Sequence, residues 1–384
     1  TPIKSSAASD VYKRQALTLS GLFACSEQKQ VDKCEAIIDD SSEIVHKEKT
    51  LMSSILTISD VILLETNDSS LLGSIEKVTR RGNFIYIKSG NSPLMMFDKA
   101  GRFRNCIGKI GSGPEEYPLL SDFDIKNENI YILTANKIQV YDCTGKWIKE
   151  IPIGVNASGI RLAGDKILLS VLNDEKVIHL LDENGKFIES QLKNNSGLGL
   201  QRNISFVKYG HCYLFPMGRS NELFAYDTTG NGTFNRMSYL ASEQLTSEQE
   251  SAMKENNRDY QKELDSRGFF DGILADNTHA IVPFIKKGNI TVWMKNIQTS
   301  QVMAYDLSAL ENDLTYLSAS SFFYDNTESD SAFLTYVMPY KLKERLKEVP
   351  EEKRNQYFER LDKIVETSSE DGNPVIIEYK IKAL

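Results

Sequence analysis

An all-β propeller is predicted by three features of this 384-residue chain. A short turn is written four times at near-even intervals, each copy lies between short runs of strand formers, and the chain ends on a single strand suited to closing a ring. The copies read Phe97-Asp98-Lys99-Ala100-Gly101-Arg102-Phe103, Tyr141-Asp142-Cys143-Thr144-Gly145-Lys146-Trp147, Leu181-Asp182-Glu183-Asn184-Gly185-Lys186-Phe187 and Tyr226-Asp227-Thr228-Thr229-Gly230. Successive aspartates lie 44, 40 and 45 residues apart, and a degenerate copy at Tyr305-Asp306 follows 79 later, close to two further periods. Strand-rich units repeating at this interval are the signature of propeller blades.

Each turn has a local cause. The aspartate carboxylate accepts from backbone N–H groups two residues on, and the glycine adopts positive φ without a Cβ clash, so the segment closes tightly. Asp98, Gly101, Asp142, Gly145, Asp182, Gly185, Asp227 and Gly230 are therefore read as turn formers. The apolar runs at 83–87, 129–133, 166–170 and 211–215 supply the approaching strands. One hairpin cannot bury both faces, so neighbouring units must stack. Calcium at these turns is disfavoured, because one aspartate per turn offers too few oxygens.

The remaining chain fits around the blades. First strand material is expected over 50–64. The rhythm lapses after Ser242, where Leu245, Ala252, Met253, Asn256, Tyr260 and Leu264 recur at helical spacing, predicting a helical insertion over about 242–266. Strands resume at 280–284 and 290–294. A second helical stretch follows Pro339, with Pro350 suited to a first helical turn and Tyr357, Phe358, Leu361, Ile364 and Val365 forming an apolar stripe. The last strand, 373–382, is expected to pair with amino-terminal material and so remove free sheet edges.

Net charge is −8, with no basic stripe, which argues against a nucleic-acid partner. No run of 18 apolar residues marks a membrane-spanning helix. Residues 1–15 read as a translated sequencing adaptor and stay outside the fold argument. Residues 16–24 look like a truncated lipoprotein signal ending in Leu22-Phe23-Ala24 before Cys25, which is the expected lipidation site and membrane anchor. A tether over 25–48 then precedes a propeller domain over 49–384. Cys34, Cys106, Cys143 and Cys212 have no metal spacing; an oxidising compartment would allow disulfides that sequence cannot pair, and free thiols are the preferred reading.

Between the first two blades stands Cys106-Ile107-Gly108-Lys109-Ile110-Gly111-Ser112-Gly113-Pro114-Glu115-Glu116-Tyr117. With the preceding Phe97-to-Phe103 turn, this resembles the signature of the six-bladed β-propeller lipoproteins of Bacteroides-type bacteria, relatives of NHL-repeat propellers. The pattern is FDxxGxF followed by IGxxGxGPGEY, with Glu115 here in place of a glycine. The terminal strand is similar to that family's last strand. The resemblance spans about 45–384 and implies six blades, secretion and a lipid anchor at the outer membrane, on its periplasmic or outer side. It carries over no catalytic residue. Gly108, Gly111, Gly113, Pro114, Glu116 and Tyr117 are expected to build a tight crossover rather than a phosphate cradle, since the Lys-Ser/Thr of a P-loop is missing. Asp227-Thr228-Thr229 and Asp330-Ser331-Ala332 resemble the O-glycosylation sequon of the same bacterial group.

No linear motif assigns a reaction. His46, His179, His211 and His279 are scattered without HExxH spacing, and no GxSxG elbow occurs. No metal and no cofactor is expected. Two functional classes stay open: an envelope binding or scaffold module for a glycan, peptide or protein, and a lyase or hydrolase acting on carbohydrate or peptide at the channel mouth. Two or more histidines or carboxylates converging within metal-ligand distance at the channel would favour the enzyme, and an aromatic and amide lining would favour binding.

Overall fold

The computed structural model describes residues 45–382 except 172–173, 194–205, 217–222, 239–261, 263–265, 267, 271, 324–326 and 330–331. The described residues belong to one compact unit, Cys34–Leu384. The chain forms a six-bladed propeller. Blade 1 runs from the axis outward through Ile75–Arg81, Phe84–Ser89, Leu94–Asp98 and Phe103–Ile107. Blade 2 is Asp122–Lys126, Asn129–Thr134, Lys137–Tyr141 and Trp147–Pro152, and blade 3 is Gly159–Ala163, Lys166–Ser170, Lys176–Asp182 and Phe187–Lys193. Blade 4 is Val207–Tyr209, Cys212–Pro216, Leu223–Asp227 and Thr233–Ser238. Each of these four is an antiparallel meander, and blade 1 gains a fifth strand, Thr327–Ser329, in parallel on its inner edge.

Blades 5 and 6 depart from that plan. In blade 5, Phe269–Phe270 and Leu274–Ala275 both pair with His279–Lys286, which is followed by Asn289–Asn296 and Val302–Asp306. The amino-terminal segment Val45–His46 then adds to its outer edge in parallel. Blade 6 joins the two ends of the chain. Its Val375–Ile381 strand lies between Phe333–Val337 and the amino-terminal Leu56–Leu63, with Ile377 opposite Val61. This is the expected ring closure, and it leaves no blade assembled from the carboxyl end alone. The strand starts only at Leu56 because Met52–Ile55 form a helical turn, with Met52 and Ile55 buried.

Two helices interrupt blade 6. Pro339 opens Pro339–Lys347 at a first-turn position, where its missing N–H costs nothing. Pro350 instead precedes a 3-10 turn, Glu351–Lys353, and the second helix, Gln356–Thr367, is capped by Asn355, whose Oδ1 accepts from the amides of Tyr357 and Phe358. The expected single helical stretch is thus two helices, since the short polar side chain of Asn355 satisfies the orphan amides that a proline cannot. Leu342, Leu346, Phe358, Leu361 and Val365 bury against the blade 6 strands. The insertion expected over 242–266 lies outside the described residues except Lys262 and Ser266, both helical. No helix among the described residues is long and apolar enough to cross a membrane.

The core is divided among blade interfaces. One apolar cluster joins Leu94, Met96 and Ile107 of blade 1 to Phe123, Ile130, Ile132 and Tyr141 of blade 2. Another joins Leu133, Ile138 and Val140 of blade 2 to Ile160, Ile167 and Leu169 of blade 3. Each sheet therefore buries both faces, which explains strands that read as continuous apolar runs, such as the wholly buried Leu94–Asp98.

Candidate functional site

The innermost strands converge on the propeller axis, and what they bring there is charge. Lys77 is 3% exposed and Arg161 3% exposed, values that require partners for both cations. Lys77 Nζ lies 2.8 Å from Asp122 Oδ1 and 3.3 Å from Glu328 Oε1. Arg161 Nη1 lies 3.1 Å from Asp122 Oδ2, and its Nη2 contacts the same Glu328 oxygen. The four groups form a closed ring of alternating sign contributed by blade 1, blade 2, blade 3 and the Thr327–Ser329 strand. That strand runs parallel to the innermost strand of blade 1, which places Glu328 on the axis. Arg81 adds a fifth charge, its Nη2 3.3 Å from Glu328 Oε2.

Remaining polar atoms of the ring are also satisfied. Lys77 donates to the Phe123 carbonyl at 3.2 Å and sits 4.7 Å from the centre of the Phe123 ring. Arg161 Nε donates to the Phe206 carbonyl, and the amide of Ile160 donates to Asp122. Burial, together with repulsion from Arg161, pushes the Lys77 ammonium down to about 8, against the pull of Asp122. Burial would raise Asp122, but Lys77 and Arg161 prevail and hold its carboxyl down to about 2. Neighbouring Asp124 accepts from the amides of Ile125 and Leu162.

Beside the ring lies a cavity of about 130 Å³ walled by Arg81, Asp124, Arg161, Lys208, Tyr213 and Glu328, with Ser329 and apolar residues completing it. The lining among the described residues matches neither expectation in full. Carboxylates converge, but Asp122 and Glu328 are neutralised by cations rather than poised as acid and base, and the aromatic contribution is Tyr213 alone, whose hydroxyl donates to the Leu162 carbonyl. None of these charged residues stood out in the sequence. The only sign was lysine and arginine inside otherwise apolar inner strands, as in Gly159-Ile160-Arg161-Leu162-Ala163, all five of which are buried.

The repeated turns sit elsewhere, at blade peripheries. In three copies the aspartate Oδ1 accepts two amides: Ala100 and Arg102 at Asp98, Thr144 and Lys146 at Asp142, Asn184 and Lys186 at Asp182. The carboxyls of Asp98 and Asp142 lie below the usual range. At Asp142 the Thr144 hydroxyl is the main cause, and at Asp98 the amide bonds and Arg102 overcome burial. The glycines have a second role. A Cβ on Gly101 would lie 2.2 Å from the Leu63 carbonyl oxygen, on Gly145 2.7 Å from that of Cys106, and on Gly185 2.2 Å from that of Pro152. Each turn is therefore pressed against the outer strand of the preceding blade. The fourth copy differs: Asp227 accepts only from Thr229 in the turn, the loop runs on to Gly232, and a Cβ on Gly230 would meet nothing.

The 108–117 loop joins blade 1 to blade 2. Tyr117 is fully buried, its hydroxyl donating to the Ile107 carbonyl and accepting from the Leu94 amide. Gly108 takes φ 66° with the Tyr117 and Tyr141 rings so close that a Cβ would fall 2.7 to 2.8 Å from them. Gly111 and Gly113 leave room for the Glu116 carboxylate, which accepts from the Gly113 amide. Pro114 and Glu115 are exposed. Only the carbonyl of Glu115 is used, by the Tyr141 hydroxyl, so a side chain fits there.

The histidines do not meet. His279 lies between Thr278 and Asn296, and burial lowers its imidazole against the pull of Asp276. His211 Nε2 is 3.6 Å from Asp227 Oδ2, and with Cys212 these two could group around a metal. Cys212, however, is disulfide-bonded, so its sulfur is no thiolate ligand. That bond also corrects the expectation of a free thiol at Cys212, whereas Cys106 and Cys143 are free. A lone cysteine in a strand run carries no signal of its own oxidation state. Cys25 and Cys34 lie outside the described residues, as do Asp330 and Ser331 of one sequon. In the other, the Thr228 hydroxyl donates to the His211 carbonyl.

A family model described as a domain of unknown function, DUF4934, matches residues 35–380. The chain belongs to the DUF4934 family. Among solved structures it is similar to a Bacteroides fragilis protein described as exported, at TM-score 0.69 and 18% identity over 88% of this chain and 99% of that one. That likeness shows the propeller fold. Lower similarity links it to the Pan2 WD40 domain of Neurospora crassa, at TM-score 0.39 and 9% identity over 67% of this chain and 72% of that one. No curated protein matches the chain.

Proposed function

We propose that this DUF4934 member is an exported cell-envelope protein whose propeller acts as a binding or scaffold module for a glycan, peptide or protein. The carrying observation is the axis. The position where propellers gather catalytic groups from several blades holds a neutralised ring, in which Asp122 and Glu328 each contact both Lys77 and Arg161. A carboxylate held at about 2 by two cations is a poor general base near neutral pH. Lys77, the one group brought near neutrality, has a side chain only 4% exposed and directs its ammonium at Asp122 and the Phe123 carbonyl. The exported Bacteroides relative supports placement outside the cytoplasm. We place the anchor at a lipidated Cys25, in the outer membrane.

The test has two arms. The immobilised full chain, presented with envelope glycans, peptides and detergent-solubilised envelope proteins, is expected to retain one class reproducibly. Incubation with the same materials is expected to release no new reducing ends or amino termini. Turnover abolished by Asp122→Asn would overturn the reading in favour of the carbohydrate or peptide enzyme.

A further inference from the structure

The axial cavity is electropositive in an acidic protein. The chain carries net charge −8, yet the wall presents three cations, Arg81, Arg161 and Lys208, against two carboxylates, Asp124 and Glu328. Both carboxylates are already used. Asp124 accepts two backbone amides, and Glu328 is shared among Lys77, Arg161 and Arg81.

Lys208 is different. It is an exposed residue of the innermost strand of blade 4, between buried Val207 and Tyr209, and it lines the mouth of the cavity. Among the described residues no carboxylate pairs with it. We propose that this cavity binds a small oxyanion, a carboxylate or phosphate group, with the Lys208 ammonium as its direct contact. Arg81 and Arg161 add positive potential at the same wall.

Size sets the ligand class. By the same measure a single water needs roughly 10–15 Å³, so 130 Å³ holds several waters or one compact ion. It does not admit a sugar chain or folded peptide, so a larger ligand would enter by one anionic end. This deepens the binding-module reading and rests on it.

The test is a titration of the full chain with sodium acetate and with sodium phosphate at constant ionic strength and pH 7, followed by calorimetry and melting temperature. A saturable response to at least one anion is expected. Lys208→Ala should weaken it at least tenfold, and Lys208→Arg should keep it within about threefold. Lys208→Gln repeats the measurement should Lys208→Ala lower the melting point of the unliganded chain. No saturable response, or one unchanged in both neutral variants, overturns the site. An envelope partner retained equally by wild type and Lys208→Ala, without anion binding, would leave the module reading standing and the site refuted. Lys208-dependent anion binding with no retained partner would do the reverse.

Discussion

The propeller is held at two radii by different physics. At the rim, neutral backbone contacts seal the seams: Gly101, Gly145 and Gly185 each bring a tight turn against a carbonyl of the blade before. At the axis, side chains of opposite charge meet in a buried ring joining blades 1, 2 and 3 to the strand that precedes blade 6. At Gly101, Gly145 and Gly185 the rim has no room for an added atom. The axis tolerates some change of shape but no missing charge, because each ion there depends on the others for solvation.

Substitution should separate the two regions. The largest effect is expected at the axis: Asp122→Ala leaves Lys77 and Arg161 buried with half their compensation and should cost about 3–5 kcal/mol in urea unfolding. A loss below about 1 kcal/mol would show the ring to be ornamental. At the rim, Gly185→Ala combines positive φ with a Cβ 2.2 Å from a backbone oxygen and should cost about 3 kcal/mol. Gly230→Ala carries the same φ penalty without the clash and should cost only about 1 kcal/mol. Equal losses in these two variants would break the rim argument, since both sit in copies of one motif. Asn355→Ala, which removes the cap of the second helix in blade 6, should cost about 1 kcal/mol and leave both regions intact.

Acid probes the axis more gently, through the difference between the wild-type chain and a variant at Asp122. The folded pKa of Asp122 is depressed from 3.8 to about 2, so its contribution is full above pH 4 and is lost as pH falls toward 2. Urea midpoints measured across that window should fall for the wild-type chain and fall less for Asp122→Asn. An identical slope in both would mean that acid acts elsewhere.

Local patterns were legible to the extent that their causes were local. The turn spacing announced blades because an Asp-to-Gly hairpin closes within seven residues, and the alternation in 377–382 announced a closing strand that pairs with 56–63. The Gly-Pro loop was legible as a crossover, but its reason was not. Gly111 and Gly113 are small because a glutamate three to five residues away folds back into their space. The site was scarcely legible at all. Lys77, Asp122, Arg161, Lys208 and Glu328 are spread over 251 residues, and no spacing rule connects them.

By itself, then, the chain determined its repeat, its strands and its ring closure, since each follows from side chains that interact with their own backbone or alternate along one strand. Tertiary structure alone decided which turns are clamped, which cysteine is oxidised and which charges meet at the axis. Those depend on where six separately coded blades bring their edges together. Desolvation then makes any charge that arrives there costly unless its opposite arrives too.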